Sequence, residues 1–380
     1  ALLCVLAQPP VMASMPAALG HAVHSMQATG LNARDLALQH RGYYEQLDVR
    51  AQLDTPVSAD GRKRDASWQT LDQLGLLAER HDLMVRELRP SRQTTWNGHV
   101  FTTNAHGMRD REYTETKPDG TYRIAITGPS HVMGNNVGDA DVFEHVVEER
   151  LNREFALPGY DHIEILNFGV DGYSLPQQIA LMEDRVFKYA PDVVIATHYK
   201  DNRDMTESLL LKVQDQGIEV PQPHLHGLLQ DAGLLDYAGP GVPLAYPSVR
   251  RALGGLGVPT RMPHGEAKAR ARRVADDVLT ASFEHFDQIV RQHGARPAVL
   301  ALNVVFDEPP ASIPLRATLD RLGLPVFDLF HVYPSDRLPA LRVAPWDDHP
   351  NAEGHRLVAA ALYQELTPFL STAASRRQTP

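Results

Sequence analysis

The chain has 380 residues, 43% hydrophobic and 22% charged, the balance of an ordinary soluble globular protein. A formal net charge of −10 argues against binding a phosphate backbone, so no nucleic-acid partner is expected. With one cysteine, Cys4, neither an intramolecular disulfide nor a cysteine-based metal cluster is possible.

The opening ALLCVLA reads either as the tail of a signal or anchor segment or as the start of a buried helix. It is too short to span a bilayer alone, and Leu3 before Cys4 argues against lipidation. A possible N-terminal membrane anchor in a longer chain is one expectation, and it favours the cell envelope or periplasm over the cytoplasm. Residues 13 to 90 read mostly helical, with LNARDLALQHRGYYEQL and DASWQTLDQLGLLAERHDLMVREL as the best stretches; in the second, Leu71, Leu74, Leu77 and His81 share a face. NGHVFTTNAHGMRDREYT suggests two short strands around a turn, and KPDG at 117 to 120 another turn. Asn104, Gly107, Met108 and Arg109 read as a turn packed on the main domain, with Arg109 alternatively holding a substrate carboxylate or phosphate.

From Tyr122 the pattern becomes strand–helix–strand. RIAITG, IEILNFG and DVVIATH are strands, and DVFEHVVEERLNREF and LPQQIALMEDRVFKYA are the helices between them. Residues 206 to about 264 interrupt this with many Leu, Gly and Pro, which predicts a cap or binding loop over the site. Alternation resumes with a helix near 266 to 293, whose KARARR run is a solvated basic face. The strand AVLALNVVF, the helix ASIPLRATLDRLG, the strand LPVFDLF and a helix from about Asn351 to Leu370 complete the chain. The division is therefore an N-terminal helical region with a short β-hairpin (1–121), an α/β domain (122–370) with an insertion (206–264), and a tail (371–380). The fold class is α/β: three layers, a parallel sheet with helices on both faces.

Chemistry-bearing residues follow the strands. Ser130 follows the first, Gly169 ends the second, Asn202 follows the third, and His349 precedes the last helix. In an open α/β sheet the loops after the strands share one edge, where ligands bind. A serine hydroxyl needs a base to become nucleophilic. A developing oxyanion needs fixed donors, which a glycine backbone and an asparagine amide can supply. His349, His355, Asp347 and Asp348 do not suit a metal, because Pro350 and Gly354 break any shared helical face. His131, beside Ser130, is expected to line the pocket.

These blocks resemble the SGNH (GDSL-type) hydrolase family. GPSHVMGNNV is similar to its first block, NFGVDGY to the second, KDNRD to the third and DDHPNAEGH to the last, over about residues 122–206 and 297–370. The helical N-terminus and NAHGMRDRE are similar to bacterial members with an N-terminal extension. The resemblance implies an SGNH/flavodoxin-like fold and a serine ester hydrolase that needs no cofactor and no metal. Ser130 is then the nucleophile and His349 the base, with the Ser130 N–H, the Gly169 N–H and the Asn202 side chain as the oxyanion hole. Two positions depart from the family pattern. Pro129 replaces the usual Asp before the serine, and Trp346 occupies the usual acid position. Asp347 is then expected to orient His349, with a backbone carbonyl as the alternative. The partner is a small-molecule or glycan ester. Two other readings stay open: an O-acyltransferase acting on a glycan or small hydroxyl acceptor, and a non-catalytic carbohydrate-binding module.

Overall fold

Residues 65, 67–216, 218, 220–235, 262–305 and 313–377 are described by the structure, a computed structural model. The described part of the N-terminal region is strand. β1 (Leu77–Glu79) and β2 (Arg86–Leu88) pair antiparallel, as do β3 (Arg92–Trp96) and β4 (His99–Thr103). The expectation of a helix over DASWQTLDQLGLLAERHDLMVREL is thereby corrected. Gly75 at φ +64° and Val85 at φ +65° are left-handed, and neither conformation continues a helix. Leu71, Leu76 and Leu88 still bury, against Trp96 and Phe101, because a turn followed by a hairpin hides the same leucines. The β3–β4 hairpin turns at Asn97 and Gly98, with φ +47° and +90°, the left-handed pair a two-residue turn requires. The predicted helix LNARDLALQHRGYYEQL and the anchor-like ALLCVLA lie outside the described residues. No helix among the described residues is long and apolar enough to cross a membrane.

The predicted alternation follows. β5 (Thr121–Gly128) leads to the short α1 (Ser130–Met133) and to α2 (Phe143–Glu154); then come β6 (His162–Gly169), α3 (Leu175–Asp184) and β7 (Val193–Tyr199). α4 (Asn202–Gln216), α5 (Pro223–Asp231) and α6 (His264–Gln292) precede β8 (Arg296–Leu302), α7 (Arg316–Leu322) and β9 (Val326–Leu329). α8 (Leu338–Leu341), the hairpin of β10 (Arg342–Ala344) and β11 (Asp347–Pro350), and α9 (Ala352–Arg377) end the described chain. The main sheet has five strands in the order β6-β5-β7-β8-β9, all parallel.

The strands are continuously apolar because both faces are covered. On β5, Ile124 and Ile126 join a cluster with Phe143 and Val147 of α2 and Val358 and Leu362 of α9. Ala125, between them, joins the opposite cluster with Ile179 of α3 and Phe283 and Phe286 of α6. Alternation of side chains along the strand thus builds three layers. Of the 206–264 insertion, the described part is helical and packs on this second layer: Arg270 Nη1 of α6 donates to the Ala232 carbonyl at 3.0 Å. The cap was expected over 206–264, and of that stretch residues 217, 219 and 236–261 lie outside the described residues.

One charge interrupts the apolar β5. Arg123 is fully buried, with Nη2 2.7 Å from Glu164 Oε2 on β6 and Nη1 donating to the Tyr189 carbonyl at 2.8 Å. Removing one member of a buried pair strands the other charge. Glu164→Gln is therefore expected to destabilise the fold by about 3–5 kcal/mol, read by chemical denaturation. A change below about 1 kcal/mol would show that water reaches this pair.

The sheet order reverses direction between β5 and β7. Connections leave these neighbours toward opposite sides, which opens a crevice at their carboxyl ends. Ser130 follows β5 and Asn202 follows β7, so both flank that crevice.

Candidate active site

The turn that carries Ser130 is dictated by its neighbours. A Cβ on Gly128 would lie 2.3 Å from a Val132 methyl and 2.8 Å from Thr197 Oγ1, so the strand can end there only in glycine. Pro129, at φ −79°, stands before the first helical residue, and its carbonyl accepts the Val132 and Met133 N–H groups, each at 3.0 Å. Its missing N–H costs nothing at a helix start. Gly134 ends the helix after one turn at φ +83°, where a Cβ would meet both Val142 methyls at 2.7 and 2.8 Å. Strand, tight turn and single helical turn together hold Ser130 at the carboxyl end of the sheet.

His349 arrives from the far end of the chain, on β11. The β10–β11 hairpin is tied to the end of β8 by the Val305 N–H donating to the Asp348 carbonyl at 3.2 Å. Arg342 Nε reinforces this by donating to the Val305 carbonyl at 2.9 Å. His349 Nε2 lies 2.7 Å from Ser130 Oγ, and His349 Nδ1 lies 2.5 Å from Asp347 Oδ1. The His349 backbone N–H also donates to Asp347 Oδ1 at 3.1 Å. Both His349 bonds go to Asp347 Oδ1, while Asp348 lies close by, with a carboxylate oxygen within 4.8 Å of an Asp347 oxygen and a His349 ring nitrogen. The structure thus brings Ser130, His349 and Asp347 into one hydrogen-bonded line.

Burial acts to lower the His349 pKa, but the Asp347 charge and hydrogen bond, with Asp348 and Asp171 behind them, outweigh it and raise it to about 9. His131 behaves oppositely. Burial, then the charge of His349, hold it well below 6.5, so it is neutral at physiological pH. Its ring centre lies 4.6 Å from that of His349 and 4.8 Å from that of Tyr199, tilted by 30° and 40°, and Nδ1 is 3.5 Å from Ser130 Oγ. It is a wall of the site, and too far from Ser130 for a strong hydrogen bond.

The oxyanion candidates are differently placed. The Asn202 amide is oriented by His198: His198 Nε2 lies 2.8 Å from the Pro314 carbonyl, so it carries the proton, and Nδ1 accepts from Asn202 Nδ2 at 3.0 Å. Asn202 is 1% exposed, and its Oδ1 is buried without a hydrogen-bond partner. The Gly169 N–H is committed, donating to Asn167 Oδ1 at 2.8 Å. Gly169 also serves packing, since a Cβ there would lie 2.3 Å from the Met133 backbone nitrogen in α1. Among the described residues Asp347, Asp348 and His349 each offer one ligand atom, all within 4.8 Å of one another. Both His349 ring nitrogens already have partners, so a metal there would have to displace Ser130 or Asp347.

Neither a family model nor a curated protein matches the chain. Among solved structures it is similar to an α/β hydrolase from the metagenome of Lake Arreo, at 14% identity and a TM-score of 0.38, over 66% of this chain and 96% of that one. It is also similar to a two-domain esterase active on acetylated mannans, at 18% identity and a TM-score of 0.34, over 66% and 50%. An acetylxylan esterase from Geobacillus stearothermophilus is a third, at 12% and 0.37, over 64% and 94%.

Several residues at the site carry no sequence signal of chemistry. Asn135 Nδ2 lies 3.3 Å from His349 Nε2, and Asn136 Nδ2 donates to Asp347 Oδ2 at 3.3 Å. Arg109, buried, binds the loop that holds both. It donates to the Met133 carbonyl at 3.1 Å, to the Gly134 carbonyl, to the Val137 carbonyl at 2.5 Å and to Asp139 at 3.1 Å. Its guanidinium is spent on the protein's own acceptors, so it acts as a clamp on that loop and not as a substrate anion holder.

Proposed function

We propose that the chain is a serine ester hydrolase, and the observation that carries this is the Ser130–His349–Asp347 line with its 2.7 and 2.5 Å bonds. Ser130 Oγ attacks the ester carbonyl as its proton passes to His349 Nε2. Asp347 holds the Nδ1–H tautomer and stabilises the imidazolium. The negative oxygen is held by the Ser130 N–H, by the second Asn202 N–H and by the Gly169 N–H, the last after it leaves Asn167. Collapse breaks the bond to the alcohol, which takes the Nε2 proton. Water then repeats the sequence on the acyl-serine and releases the acid. A panel of p-nitrophenyl acyl esters of increasing chain length tests this. Turnover of at least one ester supports the reading. No turnover across the panel, together with no labelling by a fluorophosphonate, overturns it.

The pH dependence has a fixed sign. The base must be neutral to accept the serine proton, and His349 in the free protein loses its proton at about 9. Therefore kcat/KM is expected to climb with pH through about 9, and Asp347→Asn to move that limb toward 6.5. The folded value lies above the ordinary 6.5, so the protonated His349–Asp347 pair stabilises the fold fully below about 6.5, and that contribution is lost as pH rises through about 9. A rate that is level from neutrality upward would show that His349 is not the base.

A further inference from the structure

Three asparagine amides join end to end at this site. The Gln69 backbone N–H donates to Asn97 Oδ1 at 2.9 Å, and Asn97 Nδ2 donates back to the Gln69 carbonyl at 3.0 Å. These two bonds settle which end of the Asn97 amide is nitrogen, since a backbone N–H needs an acceptor and a carbonyl needs a donor. Asn97 Nδ2 also donates to Asn136 Oδ1 at 2.7 Å. The Asn136 nitrogen must then face the other way, and it donates to Asp347 Oδ2 at 3.3 Å and to Asn135 Oδ1 at 2.5 Å. Asn135 in turn presents its nitrogen to His349 Nε2 at 3.3 Å. The backbone N–H and carbonyl of one residue near the start of the described chain, Gln69, thus set the polarity of every amide up to the histidine.

The terminus of this chain is where the chemistry needs rigidity. Asp347 Oδ1 carries both bonds to His349, and a carboxylate held at one oxygen can still rotate about its Cβ–Cγ bond. A donor on Oδ2 stops that rotation. Asn136 is 2% exposed, so water does not easily replace it. Both Asn97 and Asn136 adopt left-handed backbones, at φ +47° and +57°, which asparagine tolerates and glycine takes without strain.

We propose that Asn97 and Asn136 are positioning residues of the hydrolytic site, an amide relay through which the β3–β4 hairpin holds Asp347 against His349. The inference rests on the ester-hydrolase reading above. It makes the N-terminal segment, which lies outside the five-stranded sheet, part of the machinery.

Glycine variants isolate the side chains, because Asn136→Gly and Asn97→Gly keep the backbone conformation and remove only the amide. Asn136→Gly is expected to lower kcat by about 10–100-fold with KM changed by less than about twofold, the signature of a misplaced catalytic group. Asn97→Gly, in an accessible turn, shifts the same parameters in the same direction by less, and it serves should Asn136→Gly fail to fold. Asn136→Asp suits the left-handed turn but sets a second carboxylate against Asp347; it is expected to be worse than Asn136→Gly, an order that a purely structural role would not produce. The far-downfield proton resonance of His349 Nδ1–H, recorded without substrate, is expected to broaden or move upfield in both glycine variants. Folded glycine variants with wild-type kcat and an unmoved resonance overturn the relay. If the wild type neither turns over esters nor labels with a fluorophosphonate, the hydrolase reading has failed instead, and the resonance alone decides whether the amides hold Asp347.

Discussion

Ser130→Ala is expected to lower ester turnover by about 10³-fold or more, the scale seen when a nucleophile is removed and only binding and oxyanion donors remain. The variant deletes the oxygen that stands 2.7 Å from His349 Nε2 and leaves the turn intact, since that turn is shaped by Gly128, Pro129 and Gly134. Its melting temperature should stay close to the wild type, because one hydrogen bond is worth about 0.5–1.5 kcal/mol. A fluorophosphonate probe should label Ser130 in the wild type and nothing in the variant, with the adduct located by peptide mass spectrometry. Labelling on another serine, or hydrolysis that survives the substitution, would remove Ser130 from the mechanism.

Asp347→Asn is expected to cut turnover by about 10²–10⁴-fold, while Asp348→Asn costs much less. The surroundings give the first variant no good orientation. If the new amide keeps its oxygen toward the His349 Nδ1–H and backbone N–H, its nitrogen meets Asn136 Nδ2, donor against donor. If it flips, its nitrogen donates to His349 Nδ1 and forces the proton onto Nε2, the atom that must receive the serine proton. Asp348 lies within 4.8 Å of the pair, but the His349 bonds go to Asp347, and burial raises the Asp348 pKa, so losing its charge there is cheap. Turnover of both folded variants is the measurement. A more damaging Asp348→Asn would reverse the assignment. Two harmless variants would leave Ser130 and His349 as a dyad.

The five sheet strands were legible because each is a near-continuous apolar run between turn signals, as in RIAITG before Pro129. Their short length, flanking turn residues and β-branched content favour a strand covered on both faces over a helix. The leucines of residues 71 to 88 were not so constrained. Their spacing suits a helical face and also a turn plus hairpin, and only the left-handed Gly75 and Val85 decide between them. Ser130, His349 and Asp347 were named from the resemblance of their blocks to the SGNH family, and the structure brings their side chains within hydrogen-bonding reach. The amides of Asn97 and Asn136 could not be named from sequence, since they are 39 residues apart and nothing in their spacing marks the contact. Gly169 is an intermediate case. Its position after a strand was readable, but the demand of Asn167 Oδ1 on its N–H depends on a side-chain rotamer that a motif does not encode.

The serine and its base are 219 residues apart in the chain, and that separation orders events during synthesis. At about 5–20 residues per second, Ser130 leaves the ribosome roughly 10–40 s before His349. Through that interval β5, β6 and β7 can assemble, because they are close in sequence, but β11 does not yet exist to pair the serine with a base. A nascent or prematurely terminated chain therefore carries an unactivated alcohol in a folded cradle. On the ester-hydrolase reading proposed above, Ser130 gains its base only once the β10–β11 hairpin has docked beside β8.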